Sequence, residues 1–353
     1  MKKNPSGGER TSNNFDFIRL FAASLVVAHH SFALLGKPDS LQQITNNQYN
    51  FGSLGVYIFF IISGYLITQS LFRSQNYKTY FAKRSLRIFP ALIVHILLAV
   101  FLFGLLLTTL PLKDYFADWQ TYRYLGNICL YTISYELPGV FKSNPVPAIV
   151  NGSLWTLGYE FTCYIGVVIL HALFLLKGRV LFLCGYLSTL FAWLFFQNTL
   201  SIYAILFTGL TFSRLIPLSL YFGAGMLFYL FRDKIILSLS AGGLLLLSWA
   251  VAFYFGRGES FAFLVLPYIV LSFVFRQNSI LGQTGRLGDF SYGTYIYSFP
   301  IQQFIVQIFN ANISIGLLIL LSFLFTIPFA MFSWFVIERR ALRLKDRLFP
   351  PLH

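Results

Sequence analysis

An arginine and a histidine stand eleven residues apart in FIRLFAASLVVAHH, the stretch from Phe17 to His30. At 100° per residue, eleven steps overshoot three turns by about 20°, so Arg19 and His30 share one helix face about 16 Å apart along the axis. His29 points about 80° off that stripe. The run is otherwise apolar enough for a bilayer. A snorkelling arginine, or a histidine satisfied by a neighbouring helix, would account for either residue alone. The two together on one face argue for function, because ionisable groups inside a membrane are costly. The chemistry they suit is an anion held at Arg19 and a proton taken at His30, since imidazole titrates near neutral pH.

Three other stretches carry polar groups at helical spacing. In KTYFAKRSLRIFP, Lys83, Arg84 and Arg87 cluster where a helix is expected to begin, and Arg84 and Arg87 lie on adjacent turns of one face. Guanidinium pairs bind phosphate bidentately, and a helix N-terminus adds a favourable dipole. Anchoring to anionic lipid would explain this segment by itself. In NGSLWTLGYEFTCY, Ser153, Thr156, Glu160 and Tyr164 form one stripe, with Trp155 beside it. Glu160 is expected about 12 Å inside the bilayer, at a depth like that of His30. A structural Glu–Arg or Glu–His pair is the plain explanation. In GDFSYGTYIYSFPIQQ, Ser291, Tyr295, Ser298 and Gln302 form another stripe, and Pro300 should kink the helix. Gly52, Gly55 and Gly64 in FGSLGVYIFFIISGYLIT fit ordinary close packing of helices. Together these faces describe a wet cavity across the membrane, basic at its inner mouth.

The elements that would position these residues follow from composition. The chain has 353 residues, 57% hydrophobic and 11% charged, far below the charged share of a soluble domain. The expected fold is all-α and polytopic, one transmembrane domain over 1–353. The spans are placed at 17–36, 51–72, 84–110, 152–176, 180–196, 213–231, 235–255, 260–275, 288–309 and 312–337. The apolar segment 198–212 reads as a re-entrant or interfacial piece. Residues 1–15 and 338–353 form tails. The net charge of +14 reads as topology rather than nucleic-acid binding. With both termini cytoplasmic, only Lys37, Lys113, Arg123, Lys142, Arg214 and Arg257 fall outside, against nineteen Lys and Arg inside. The first run carries Arg19 at its start and no clear cleavage site, so it is expected to be retained. The longest outer loop, 111–151, is rich in Tyr. Cys129, Cys163 and Cys184 have no metal-ligand spacing, and no metal is expected.

Taken together, the Arg-X10-His pattern, FFIISGYLIT, the Arg84–Arg87 pair, SLWTLGYEF and SYGTYIYSFPIQQ make the chain resemble the acyltransferase-3 family of integral membrane acyltransferases. The likeness runs from about Asn14 to Arg340 and is to stand-alone bacterial O-acetyltransferases of surface polysaccharide. It implies a bacterial inner-membrane enzyme that takes acetyl from cytoplasmic acetyl-CoA, a co-substrate. The acceptor would be a carbohydrate on the far side, such as lipopolysaccharide O-antigen or exopolysaccharide, free or lipid-linked. It implies that His30 is catalytic and that basic inner residues serve CoA. Combined with the residue reading, the expected donor site is Arg19, Arg73, Lys83, Arg84 and Arg87. His30 and Glu160 are the expected catalytic residues. Trp155, Tyr164, Ser298 and Gln302 are expected at the acceptor. Transfer of succinyl or another acyl group, or proton-coupled transport through His30 and Glu160, are the competing readings. Direct transfer and an acyl-histidine intermediate both stay open.

Overall fold

A computed structural model describes residues 14–74, 76–200, 210–276 and 288–348. The 198–212 segment therefore lies largely outside the described residues, as do the N-terminal tail to residue 13 and the last five residues. Among the described residues every regular element is helical. Ten helices are long: α1 (Phe15–Ala33), α2 (Phe51–Phe72), α3 (Tyr77–Leu98), α4 (Trp155–Ala172), α5 (Arg179–Leu200), α6 (Phe212–Leu230), α7 (Leu239–Tyr254), α8 (Gly258–Val274), α9 (Ser291–Ile308) and α10 (Ile315–Phe332). They follow the ten apolar runs with ends shifted by a few residues. By length and composition, five segments among the described residues could cross a membrane: Phe51–Phe72, Tyr77–Leu107, Arg179–Gln197, Phe212–Leu230 and Ile315–Leu344. The chain is a multi-pass membrane protein.

One departure from expectation has a local cause. The third helix starts at Tyr77, not at residue 84, because the Asn76 side chain accepts the Thr79 backbone N–H and caps it. Lys83, Arg84 and Arg87 thus sit well inside α3, where backbone N–H groups are already paired, so the expected help from the helix N-terminus is absent. The helix also continues through a π-turn, Ala99–Phe103, to Leu107. A second π-turn, Ser333–Glu338, joins α10 to α11 (Arg339–Leu348). The 111–151 loop is compact. It winds through Leu112–Ala117, Trp119–Arg123 and a 3-10 turn, Tyr124–Cys129, and buries Tyr115 and Tyr124 completely.

α2 is the central helix and packs most extensively on α6 and α1, while α9 packs on α10 and α1. Glycine sets the α2–α6 approach. A Cβ on Gly64 would run into the Phe222 carbonyl, and one on Gly225 into the Ile61 carbonyl. The two backbones touch without side chains between them, the small-residue packing that membranes favour. Gly166, by contrast, faces open space. Gly64→Ala and Gly225→Ala should each destabilise by about 1–3 kcal/mol through overpacking, whereas Gly166→Ala should be neutral. Thermal unfolding in detergent would show the first two melting lower and the third unchanged.

Candidate active site

A cavity opens between α1, α2, α3, α4 and α9. Arg19, Arg84 and Arg87 line it together with Glu160, Tyr164 and Ser291, and it continues to Thr156 and Tyr295. Five of the expected site residues therefore meet in one space, although they come from three helices. The walls between them are apolar, from Val56, Phe59 and Leu66 among others.

Glu160 is held from two sides. Ser63 Oγ donates to its Oε1 at 2.7 Å, and Tyr164 OH donates to the same oxygen at 2.5 Å. Tyr164 is one turn further along α4, so the i,i+4 spacing aims its hydroxyl back at the carboxylate. Glu160 is thus joined to α2 through Ser63 and, among the described residues, makes no hydrogen bond to His30. It borders the guanidinium end of the cavity. Tyr295, from the α9 stripe, meets Thr156 Oγ1 at 2.7 Å.

The arginine-lined end of the cavity is not simply basic. Asp289 Oδ2 lies 3.0 Å from Arg19 Nη1 and 2.5 Å from Arg87 Nη2. Arg87 Nη1 also reaches Glu338 Oε2 at 3.1 Å, and Arg19 pairs with Asp16. Ser291 Oγ donates to Asp289 Oδ1 and Ser333 Oγ to Glu338 Oε1. Both carboxylates are nearly buried, with side chains 9% and 2% exposed. Arg19 and Arg87 are consequently committed to carboxylates, and Arg87 stands further between Tyr292 and Trp334. Arg84 is different. Its Nη2 makes one long contact to Ser70 Oγ at 3.4 Å, and its buried Nε has no partner among the described residues.

The remaining expected residues lie apart from this group. Arg73 is exposed just past the end of α2, and Lys83 is partly buried on α3. Trp155 lies under the Arg214 guanidinium, 4.6 Å from its ring centre. Gln302 Nε2 donates to Val27 O at 2.8 Å and to Ser31 Oγ at 2.7 Å, fastening α9 to α1. Ser298 is fully buried, and its Oγ has no partner among the described residues. His30 stands edge-on to Phe299, ring centres 4.9 Å apart, with its buried Nδ1 likewise unpartnered. Phe299 is one turn beyond Tyr295, which lines the cavity. Gly152 admits the ring, since a Cβ there would meet Phe299 Cε2 at 2.6 Å.

Sequence reasoning missed several members of the site. Asp16, Asp289 and Glu338 were passed over, although a carboxylate in so basic a chain, flanking an apolar run, is itself a signal. His95 was missed as well. It is fully buried on α3, and Asn151 Nδ2 donates to its Nε2 at 2.8 Å and to Ile296 O at 2.7 Å.

The contrast between the two α3 arginines yields a prediction. Arg87→Ala leaves Asp289 and Glu338 buried with fewer partners, which should cost about 3–5 kcal/mol. Arg84→Ala breaks no ion pair and should cost less than about 1 kcal/mol. Thermal melts of the two purified variants should separate clearly, with only Arg87→Ala strongly lowered.

Comparison with known proteins adds independent information. Residues 12–339 match a family described as an acyltransferase domain. The chain is 32% identical over 344 residues to the O-acetyl transferase of Shigella phage Sf6, covering 94% of this chain and 96% of that one. It is 31% identical over 377 residues to Nodulation protein 10 of Rhizobium leguminosarum bv. viciae, covering 97% and 96%. No solved structure matches significantly. With a match this long, and a membrane-embedded cavity built by the very motifs that suggested it, the chain belongs to the acyltransferase-3 family.

Proposed function

We propose that this protein moves an acetyl group from cytoplasmic acetyl-CoA to a hydroxyl of an extracytoplasmic carbohydrate, such as a lipopolysaccharide O-antigen or an exopolysaccharide. The observation that carries the reading is the cavity itself. Three guanidiniums stand at one end of it, and its outer end lies one helical turn from the phenylalanine that touches His30. The relative named as an O-acetyl transferase supports acetyl as the group and oxygen as its destination. In this reading all ten long helices cross a bacterial inner membrane with both termini in the cytoplasm, which is where the Lys/Arg excess favours them.

Each residue then has a task. Arg84 meets the CoA phosphates first, because it alone of the three guanidiniums makes no ion pair among the described residues. Arg19 and Arg87 keep the mouth rigid and add field, their charge shared with Asp289. Arg73 and Lys83 extend the basic rim toward the cytoplasm. The donor's arm passes Glu160 and Tyr164 and brings the thioester near His30. The acceptor enters from the other face, where Trp155, Ser298, Gln302 and the 111–151 loop lie. Glycan hydroxyls would find partners in the unpaired Ser298 Oγ and Gln302 Oε1.

The reading separates binding from chemistry. Arg84→Ala should weaken acetyl-CoA binding roughly ten- to a hundredfold, the loss of a charge-assisted contact worth about 1.5–3 kcal/mol. Higher salt should weaken wild-type binding in the same direction. His30→Ala should bind acetyl-CoA almost normally and transfer no acetyl. Calorimetry on protein in nanodiscs, beside mass analysis of surface glycans with and without the gene, measures both. A surface glycan whose acylation is indifferent to the gene would remove the proposal, and a succinyl mass shift would change the donor.

A further inference from the structure

The outer end of α1 carries two adjacent imidazoles in unlike surroundings. Their ring centres are 5.8 Å apart. His29 Nδ1 lies 2.8 Å from Asp39 Oδ2. Asp39 is wholly buried, and it also accepts the Gln42 backbone N–H on Oδ1 and the Phe51 backbone N–H on Oδ2, both at 2.9 Å. A carboxylate accepting from two backbone donors is an acceptor toward its third neighbour, so Nδ1–H of His29 donates to it. That bond fixes the ring and leaves the lone pair on Nε2. The His29 side chain remains 24% exposed. Gly52 at the start of α2 allows this placement, since a Cβ there would strike the imidazole edge. Among the described residues no such bond orients His30, whose Nδ1 has no partner there.

An imidazole with one nitrogen bound to a buried carboxylate and the other without a partner among the described residues is the arrangement of an oriented general base. We propose that His29, positioned by Asp39, is the group that takes the proton from the acceptor hydroxyl, leaving His30 to the donor thioester. This rests on the acyl-transfer reading above. In the step, the hydroxyl proton moves to His29 Nε2 as its oxygen bonds to the acyl carbon. The carbon–sulfur bond breaks and CoA leaves as thiolate, which then receives the proton held on His29. The products are the ester and free CoA thiol, so protons and charge balance. Asp39 does not touch the acceptor and acts only by setting the tautomer and angle of His29. Asp39 also caps the short helix Ser40–Ile44, so the loop that follows α1 and the base are held by one carboxylate.

The test uses full-length protein in nanodiscs, radiolabelled acetyl-CoA, and surface polysaccharide prepared from cells lacking the gene. His29→Ala should lower kcat by about 10²–10⁴-fold, the usual share of base catalysis, while acetyl-CoA affinity stays within about twofold. Free imidazole should restore part of that rate. Asp39→Asn turns a donor toward Nδ1 and should lower kcat at least about tenfold without moving KM for acetyl-CoA. Asp39→Glu should recover part of the loss. Retained acetyl-CoA affinity reports that each variant is folded. Near-wild-type transfer by His29→Ala, or a loss that imidazole leaves untouched, overturns the assignment. Wild-type protein that binds acetyl-CoA yet acetylates no polysaccharide overturns the acyl-transfer reading itself, and this inference with it.

Discussion

Asp289 lies between two guanidinium groups in a nearly dry part of the molecule, and the bundle is arranged around it. A carboxylate removed from water is tolerable only with charge and hydrogen bonds closing on it. Asp289 obtains them from Arg19 on α1, Arg87 on α3 and Ser291 in the first turn of α9. Arg87 carries the same tie to Glu338 in the π-turn beyond α10. Four segments distant in sequence thus meet at one level. At the far end of α1, Gln302 repeats the connection with two hydrogen bonds. α1 and α9 are therefore pinned at two heights, which sets the register of the polar stripes along the cavity.

Much of this was legible before any coordinates, and the limits have physical causes. Apolar runs of bilayer length located the ten helices because hydropathy is a local property. The early start of α3 was not visible that way, since hydropathy counts Lys78, Lys83 and Arg84 against a span while a helix capped at Asn76 simply continues through them. The Thr156–Glu160–Tyr164 stripe was legible because helical period is also local. Its partner was not. A purely structural role would have paired Glu160 with an arginine or histidine on another helix, whereas the partner that α2 supplies is Ser63, beside Tyr164 of the same stripe. Choosing among partners requires the height of one helix against another, which no single-helix pattern encodes. Asp289 sits inside the motif quoted for its serines and tyrosines, yet its pairing with Arg19 spans most of the chain.

Arg84 and Arg87 show how far spacing alone goes. Three residues apart on one face, they look interchangeable as phosphate ligands. One reaches a single serine at long range, while the other is enclosed by two carboxylates and two aromatic rings. A guanidinium already neutralised offers less to an incoming anion than one still seeking an acceptor. The useful distinction is between charge that holds the fold and charge left for a ligand, and only the environment of each group reveals it.

The Phe299 ring has a bearing on the membrane rather than on the reaction. It touches His30 and is seated against Gly152, one turn beyond Tyr295 of the cavity wall. Hydrophobic constrictions of this kind interrupt a water file by dewetting. A bilayer crossed by an unbroken column of water beside titratable side chains would conduct protons and drain the potential that the cell maintains. An aromatic ring seated against Gly152 beside His30 is an apolar group of the kind that interrupts such a column.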